Sequence, residues 1–223
     1  MITPRLQKII DLVDEEIIAD IGTDQAYIPI RLATLSKIKK AVATDKNKGP
    51  LDIAKANVLK YEFDNIIELR QGEGLLPIDA GECKLVIIAG MGGKLIGDII
   101  EADIKKSKTF KFLLQPMNAQ AELRERLIKN GFKITKEELS SEGFKVYNVF
   151  CCEKGEQKLP EKINLHIPKE LENHELYNML VNKKVREFDK IIKGLENAKE
   201  PDFKTISEFK RLSRDIKIFS RRD

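Results

Sequence analysis

Five short apolar runs alternating with helical stretches constrain this chain more than any other feature. "IIADI" (17–21), "KIKKAVATD" (37–45), "IIELRQG" (66–72), "CKLVIIAG" (83–90) and "FKFLLQP" (110–116) read as strands. "AYIPIRLATL", "GPLDIAKANVLKYEF", "GKLIGDIIEADI" and "AQAELRERLIKNG" carry apolar residues at helical spacing. Pro29 is tolerable only in a first turn, and Gly131 stands where a helix closes on a left-handed residue. A helix before the first strand starts at Pro4, with Thr3 as its cap. Strands joined by crossover helices lie parallel, and the run 83–90, apolar throughout, reads as central.

After Gly131 the pattern changes. "FKITKEELSSEGFKVYNVFCCE" reads as two strands with no helix between them, hence an antiparallel hairpin. The expected fold class is therefore α/β: a doubly wound, mostly parallel, seven-stranded sheet of the class I methyltransferase type, with a plain dinucleotide-binding sheet as its rival. Residues 155–169 form a polar connector. Beyond it Val181, Val185, Phe188, Ile192 and Leu195 alternate at spacings of four and three. Pro201 interrupts, and Ile206, Phe209, Ser213, Ile216 and Phe219 resume. This predicts a C-terminal α-helical hairpin of coiled-coil type, its seam a helix–helix core. The domains expected are 1–160, a ligand-binding sheet domain, and 161–223, the helical hairpin.

Composition removes several function classes. With 223 residues and 42% hydrophobic content the chain can bury a sizeable core. It has no run of 18 apolar residues and no signal-peptide pattern, so a cytoplasmic protein without membrane contact is expected. Cys83, Cys151 and Cys152 do not make a disulfide framework or a zinc site, and His166 and His174 both come late. No metal is expected. The net charge of +4 is spread thinly: residues 1–160 carry 25 Lys and Arg against 24 Asp and Glu, and 161–223 carry 15 against 12. The tail is slightly more basic and ends in "SRRD". Nucleic-acid binding would need the cations gathered on one face.

Open α/β sheets bind ligands at the C-terminal ends of their strands, so the loops there decide the ligand. After the first strand stand Asp20, Gly22 and Asp24. A pyrophosphate site wants three glycines here, and two carboxylates would repel it. A ligand bearing a sulfonium and an ammonium, as S-adenosylmethionine does, reverses the sign of that interaction. A plainer role for Asp24, capping the next helix, is compatible. Asp45 ends the second strand, where a carboxylate can accept both ribose hydroxyls of a nucleoside. "RQGEG" (70–74) follows the third strand and places Gly72 and Glu73 where an adenine ring is usually held. "AGMGG" (89–93) follows the fourth, its glycines letting backbone pass close to a ligand. "QPMN" follows the fifth. Gln115 or Asn118 can meet a base edge there, and Arg124 in the next helix can reach a phosphate.

The motifs "ADIGTDQAYIP", "ATDKNKGP", "RQGEGL", "IIAGMGGKLI" and "LLQP" together resemble the bacterial tRNA (adenine-22-N1)-methyltransferases, in the same order along nearly the whole chain. The resemblance implies methyl transfer from S-adenosyl-L-methionine to N1 of adenine 22 in tRNA, leaving S-adenosyl-L-homocysteine. It implies cofactor binding by Asp20, Gly22, Asp24, Gln25, Asp45, Gly72, Glu73, Ala89, Gly90, Met91 and Gly92. Gln25 stands where the family has histidine, Asp45 where it has glutamate, and Met117 where it has asparagine. Asp24 is the candidate catalytic carboxylate, placed to stabilise charge developing on the adenine ring. Gln115, Pro116, Asn118 and Arg124, with Lys183, Lys184, Arg186, Lys210 and Arg211 of the helical hairpin, are the candidate tRNA contacts. Arg214 adds to that cluster, whose plainer role is a solvated helix face. A monomer without an obligate protein partner is expected. The alternatives are methylation of another RNA, a non-catalytic RNA-binding relative, or a nicotinamide oxidoreductase on the same sheet.

Overall fold

The computed structural model describes residues 2–198 and 200–219. Its elements follow the alternation. Helix α1 (Pro4–Leu12) is capped by Thr3, whose hydroxyl accepts from the Leu6 N–H, and Pro4 occupies the first turn. Strand β1 (Ile17–Ile21) leads into α2 (Tyr27–Thr34), with Pro29 in its first turn. Strand β2 (Lys40–Asp45) precedes α3 (Lys48–Lys60), and β3 (Ile67–Gln71) runs without a helix to β4 (Leu85–Met91). The single helix expected over 93–104 is two, α4 (Gly93–Glu101) and α5 (Ile104–Ser107), because the Asp103 carboxylate accepts from the Lys106 N–H and starts a new turn. Then come β5 (Lys111–Pro116), α6 (Gln120–Lys129), β6 (Phe132–Glu142) and β7 (Lys145–Lys154). Gly131 follows α6 at φ +78, the left-handed stop its sequence predicts.

The seven strands lie in the order β3-β2-β1-β4-β5-β7-β6. The first five are parallel, and β7 runs antiparallel to β5, pairing Phe112 with Cys152 and Leu114 with Phe150. β1 and β4 are neighbours, so the chain reverses its direction of travel across the sheet between them, where such folds bind ligands. Each sheet face carries its own apolar core. One gathers Ile9, Ile10, Ile18, Ile87 and Leu113; the other gathers Ala19, Ile88, Ile96, Phe112 and Phe132. Strand β4 is buried from Leu85 to Ile88, as its continuous apolar run predicts.

The chain divides into two compact units, residues 1–142 with 147–159, and residues 143–146 with 160 onward. The second unit holds α8 (Tyr177–Glu196) and α9 (Phe203–Phe219), which pack on each other. Val181, Phe188, Ile192, Ile206, Ser213 and Ile216 are buried along the predicted seam, and Phe188 meets Phe209 edge-on at 5.3 Å. The Phe219 side chain and the "SRRD" tail lie outside the described residues. The connector expected over 155–169 is not irregular throughout, since it contains α7 (Lys162–His166), whose His166 ring packs on Phe188 at 4.9 Å. Among the described residues no helix is long and apolar enough to cross a membrane.

Candidate functional site

The C-terminal ends of β1 to β4 surround a cavity of about 540 Å³, within the range of roughly 300–1,000 Å³ usual for small-ligand sites. β1 supplies its floor. Asp20 is only 3% exposed, and the Thr23 hydroxyl donates to it at 2.6 Å. Burial pushes the Asp20 carboxyl up to about 6; the Thr23 bond opposes this and the charge of Asp45 adds to it. The turn that follows is held by a fork, in which the Gly22 and Thr23 N–H groups both donate to the Thr44 carbonyl at 2.8 Å. Gly22 has φ +71, and a Cβ there would sit 2.1 Å from Met91 Cε. Glycine suits the turn by its conformation, and a side chain there would displace the flexible end of Met91.

Asp24 lines the cavity from an exposed position at φ +53, and Ala26 follows at φ +57. Two non-glycine residues in the left-handed region mark a strained turn of the kind that clusters at functional sites. Asp24 does not cap α2, which has no side-chain cap at all. Asp45 ends β2, accepts from the Asn47 N–H at 2.9 Å and lines the cavity. Gly72 and Glu73 line it after β3. A Cβ on Gly72 would lie 2.4 Å from Pro77 Cγ. Ala89, Gly90 and Met91 close it from β4. Nine of the eleven expected cofactor contacts thus converge on the cavity. The other two, Gln25 and Gly92, stand outside the lining. The Gln25 side chain accepts from the Tyr27 hydroxyl at 2.8 Å. Gly92 precedes the first residue of α4, and a Cβ there would lie 3.1 Å from the side-chain oxygen of Asn118.

The expected tRNA contacts divide differently. Gln115 is fully buried, with its amide oxygen accepting from Arg5 Nη1 at 2.6 Å and the Gly90 N–H at 3.1 Å, so it does not meet a base edge. Pro116 is buried at the end of β5, whereas Asn118 is exposed and its main-chain oxygen accepts from the Gly93 N–H. Arg124 is 3% exposed and is not a phosphate ligand. Its guanidinium pairs with Glu137 at 2.7 Å and stacks over Phe150 at 4.7 Å, and Asn148 donates to the same carboxylate. Lys184, 4% exposed, pairs with Glu187 at 2.8 Å, and Lys183 donates to the Val146 carbonyl. Both are engaged within the helical unit, Lys183 by a main-chain carbonyl and Lys184 by a neighbouring carboxylate. Arg186, Lys210 and Arg211 are exposed, Lys210 beside Glu196 at 2.7 Å.

The cavity also has walls that the strand-end motifs do not announce. Thr3, Arg5 and Leu6 come from α1 and its cap, Tyr27 from the start of α2, and Leu95 and Ile99 from α4. Tyr27 and Leu95 carried a signal, their places inside "ADIGTDQAYIP" and "IIAGMGGKLI"; the others are ordinary helix or cap residues until α1 and α4 are placed. Burial raises the thiols of Cys83 and Cys151 to about 12 and about 11, and that of Cys152 further, so none is a thiolate nucleophile. Among the described residues no group of His, Cys, Asp or Glu is arranged to hold a metal ion.

Comparison with known proteins places this geometry in context. A family model described as a methyltransferase domain matches residues 2–150. A tRNA (adenine(22)-N(1))-methyltransferase of Bacillus subtilis is 35% identical over 158 residues, covering 70% of this chain and 66% of that protein. The crystal structure of the B. subtilis m1A22 tRNA methyltransferase TrmK superposes with a TM-score of 0.86 at 26% identity, over 99% of both chains. A Streptococcus pneumoniae protein solved in complex with S-adenosyl-L-methionine does so with a TM-score of 0.86 at 30% identity, over 99% of this chain and all of that one.

Proposed function

The chain belongs to the methyltransferase family, and from that premise we propose that it transfers a methyl group from S-adenosyl-L-methionine to N1 of adenine 22 in tRNA. The observation that carries the reading is the cavity's chemistry. Four carboxylates, Asp20, Asp24, Asp45 and Glu73, outnumber two cations, Arg5 and Lys46, around a glycine turn with room for a nucleoside. Such a lining suits a ligand with two cationic centres and a ribose, and it disfavours a diphosphate.

The cofactor fits the residues present. Bound there, it supplies a sulfonium methyl that adenine N1 takes up by in-line displacement. Asp20 and Asp24 would offset the ligand's positive charge. Asp45, whose other oxygen accepts from the Asn47 N–H, would accept the ribose hydroxyls. Gly72 and Glu73 would hold the adenosine base, and Gly90 and Met91 the transfer end. Asp24 is the group we assign to the target adenine, whose ring becomes positive and whose amino protons become more acidic as N1 is alkylated. A carboxylate there stabilises that charge and accepts a proton. N1 is unprotonated near neutral pH, so the larger share of the acceleration comes from holding the two reactants in line, which can supply about 7–11 kcal/mol.

In this reading residues 1–160 form the catalytic domain and the helical hairpin, 161–223, grips tRNA through exposed cations such as Arg186 and Arg211. The target adenine must leave its tertiary contacts to reach the cavity, at a cost of a few kcal/mol. Phosphate contacts by the hairpin offset that cost. We place the enzyme in the cytoplasm as a monomer. The test is methylation of tRNA transcripts, followed by nucleoside mass spectrometry and position mapping. N1-methyladenosine at position 22 is expected; a transcript left unmodified by folded protein, or modified elsewhere, contradicts the proposal.

A further inference from the structure

We propose that Arg5 is a positioning residue for methyl transfer, acting through Gln115 on the Gly90 peptide. The inference rests on the reaction proposed above and adds a part of the machinery that the strand-end motifs do not reveal. It starts from an irregularity in the sheet. β4 and β5 run in register from Leu85 opposite Lys111 to Ala89 opposite Gln115, and then the register slips, so that Met91 stands opposite Pro116. Gly90 is the extra residue, a bulge at φ +78. A bulged residue leaves the ladder, so its N–H needs another acceptor. Gln115 provides one at 3.1 Å from its side chain.

The orientation of that amide is fixed by its neighbours. The Gly90 N–H can only donate, and the Arg5 guanidinium has five N–H groups and no acceptor. Both point at the same oxygen, Arg5 Nη1 at 2.6 Å, so the oxygen's two lone pairs are used. On the other side the amide nitrogen donates to the Pro116 carbonyl at 3.2 Å and approaches the Met117 sulfur at 3.6 Å. Gln115 is thus committed at both ends. Arg5 is held in turn: its guanidinium lies 5.7 Å from the centre of the Tyr147 ring, its Nε is 3.8 Å from Glu142, and its own main-chain N–H donates to the same carboxylate at 3.3 Å.

The relay joins the first turn of α1 to the wall of the cavity, across 110 residues of sequence. Its far end matters for chemistry. Gly90 and Met91 line the cavity, and Met91 Cε fills the space a side chain at Gly22 would need. Moving the Gly90 peptide therefore moves Met91 against the turn that carries Asp24. Misplacing a wall of a site that works by alignment lowers turnover more than binding.

The test uses the full-length protein. Arg5→Met and Gln115→Leu each remove one end of the relay. Each is expected to lower kcat at least tenfold with the KM for tRNA within twofold, and the double variant is expected to lose no more than the worse single one. Gln115→Glu keeps an acceptor for both donors and is expected to restore most of the turnover that Gln115→Leu loses. A residue that only stabilises the fold would lower the melting temperature and leave kcat of the folded protein unchanged. Amide hydrogen exchange at Gly90 gives a readout independent of activity: it should speed at least tenfold in Arg5→Met. Unchanged exchange at Gly90, kcat within twofold of an active parent, or losses that multiply in the double variant would overturn the proposal. A parent that methylates no RNA overturns the functional reading instead, and the exchange measurement still decides the relay.

Discussion

Asp20 is the residue at which the cavity's electrostatics are most exposed to experiment. Its carboxyl, ordinarily near 3.8, titrates at about 6 in the folded protein because it is buried, with Asp45 nearby. A folded value above the unfolded one means the folded state holds the proton longer. Stability from this group is therefore fully present below about pH 4, falls as the pH rises from 4 to 6, and is flat above; the span is about 3 kcal/mol. Asp20→Asn should accordingly melt higher than the parent above pH 6 without ligand and alongside it below pH 4, as thermal melts across that range will show. A cationic ligand favours the carboxylate, so affinity for S-adenosylmethionine should rise with pH through about 6 in the parent and lose that dependence in the variant. Gly22→Ala should weaken cofactor binding at least tenfold by equilibrium dialysis, since a left-handed alanine costs about 1–2 kcal/mol and Met91 must also move. These residues were legible in the sequence because glycine and carboxylate at a strand end are expensive choices with few explanations. Gln115 stood out as a site residue, but Arg5 and its bond to Gln115 did not, because a hydrogen bond between residues 110 apart leaves no local pattern.

At the scale of elements, the strands and helices followed from periodicity, and the errors fell where a side chain broke the pattern. Asp103 splits one expected helix into α4 and α5 by capping the second. Arg124 shows a different kind of error. On α6 it reads as a cation facing ligand, yet β6 and β7 bring Glu137 and Asn148 against it, and no helical pattern anticipates a partner from a later hairpin. Removing one member of a buried ion pair strands the other, so Arg124→Ala should cost about 3–5 kcal/mol in denaturant titration. The refolded variant, at low temperature, should keep its affinity for tRNA. A loss of RNA affinity without loss of stability would restore Arg124 to the substrate surface. The cap on α1 is a smaller case: Thr3→Ala should cost about 1 kcal/mol in the same titration.

For the whole molecule, function requires a small anionic cavity for the methyl donor and a cationic surface for the acceptor. The chain's net charge of +4 leaves the second to local placement. Paired charge reversal, Arg186→Glu with Arg211→Glu, should weaken tRNA binding at least tenfold and leave cofactor affinity unchanged. It should also flatten the salt dependence, by about one unit of slope for every phosphate the variant no longer neutralises. Filter binding over a salt series measures the RNA affinity and its slope. The sequence could not distinguish Arg186 from Lys183 and Lys184, since all three stand on α8 and differ in which side of it they occupy. The central claim is that the glycine turn and its carboxylates select an onium-bearing nucleoside over a dinucleotide. Titration calorimetry of the folded protein against S-adenosylmethionine and against a nicotinamide dinucleotide tests it most directly. The prediction is saturable heat with the first, weakened at least tenfold by Asp45→Asn, and none with the second. Saturable binding of the dinucleotide, with no heat from S-adenosylmethionine, would contradict it.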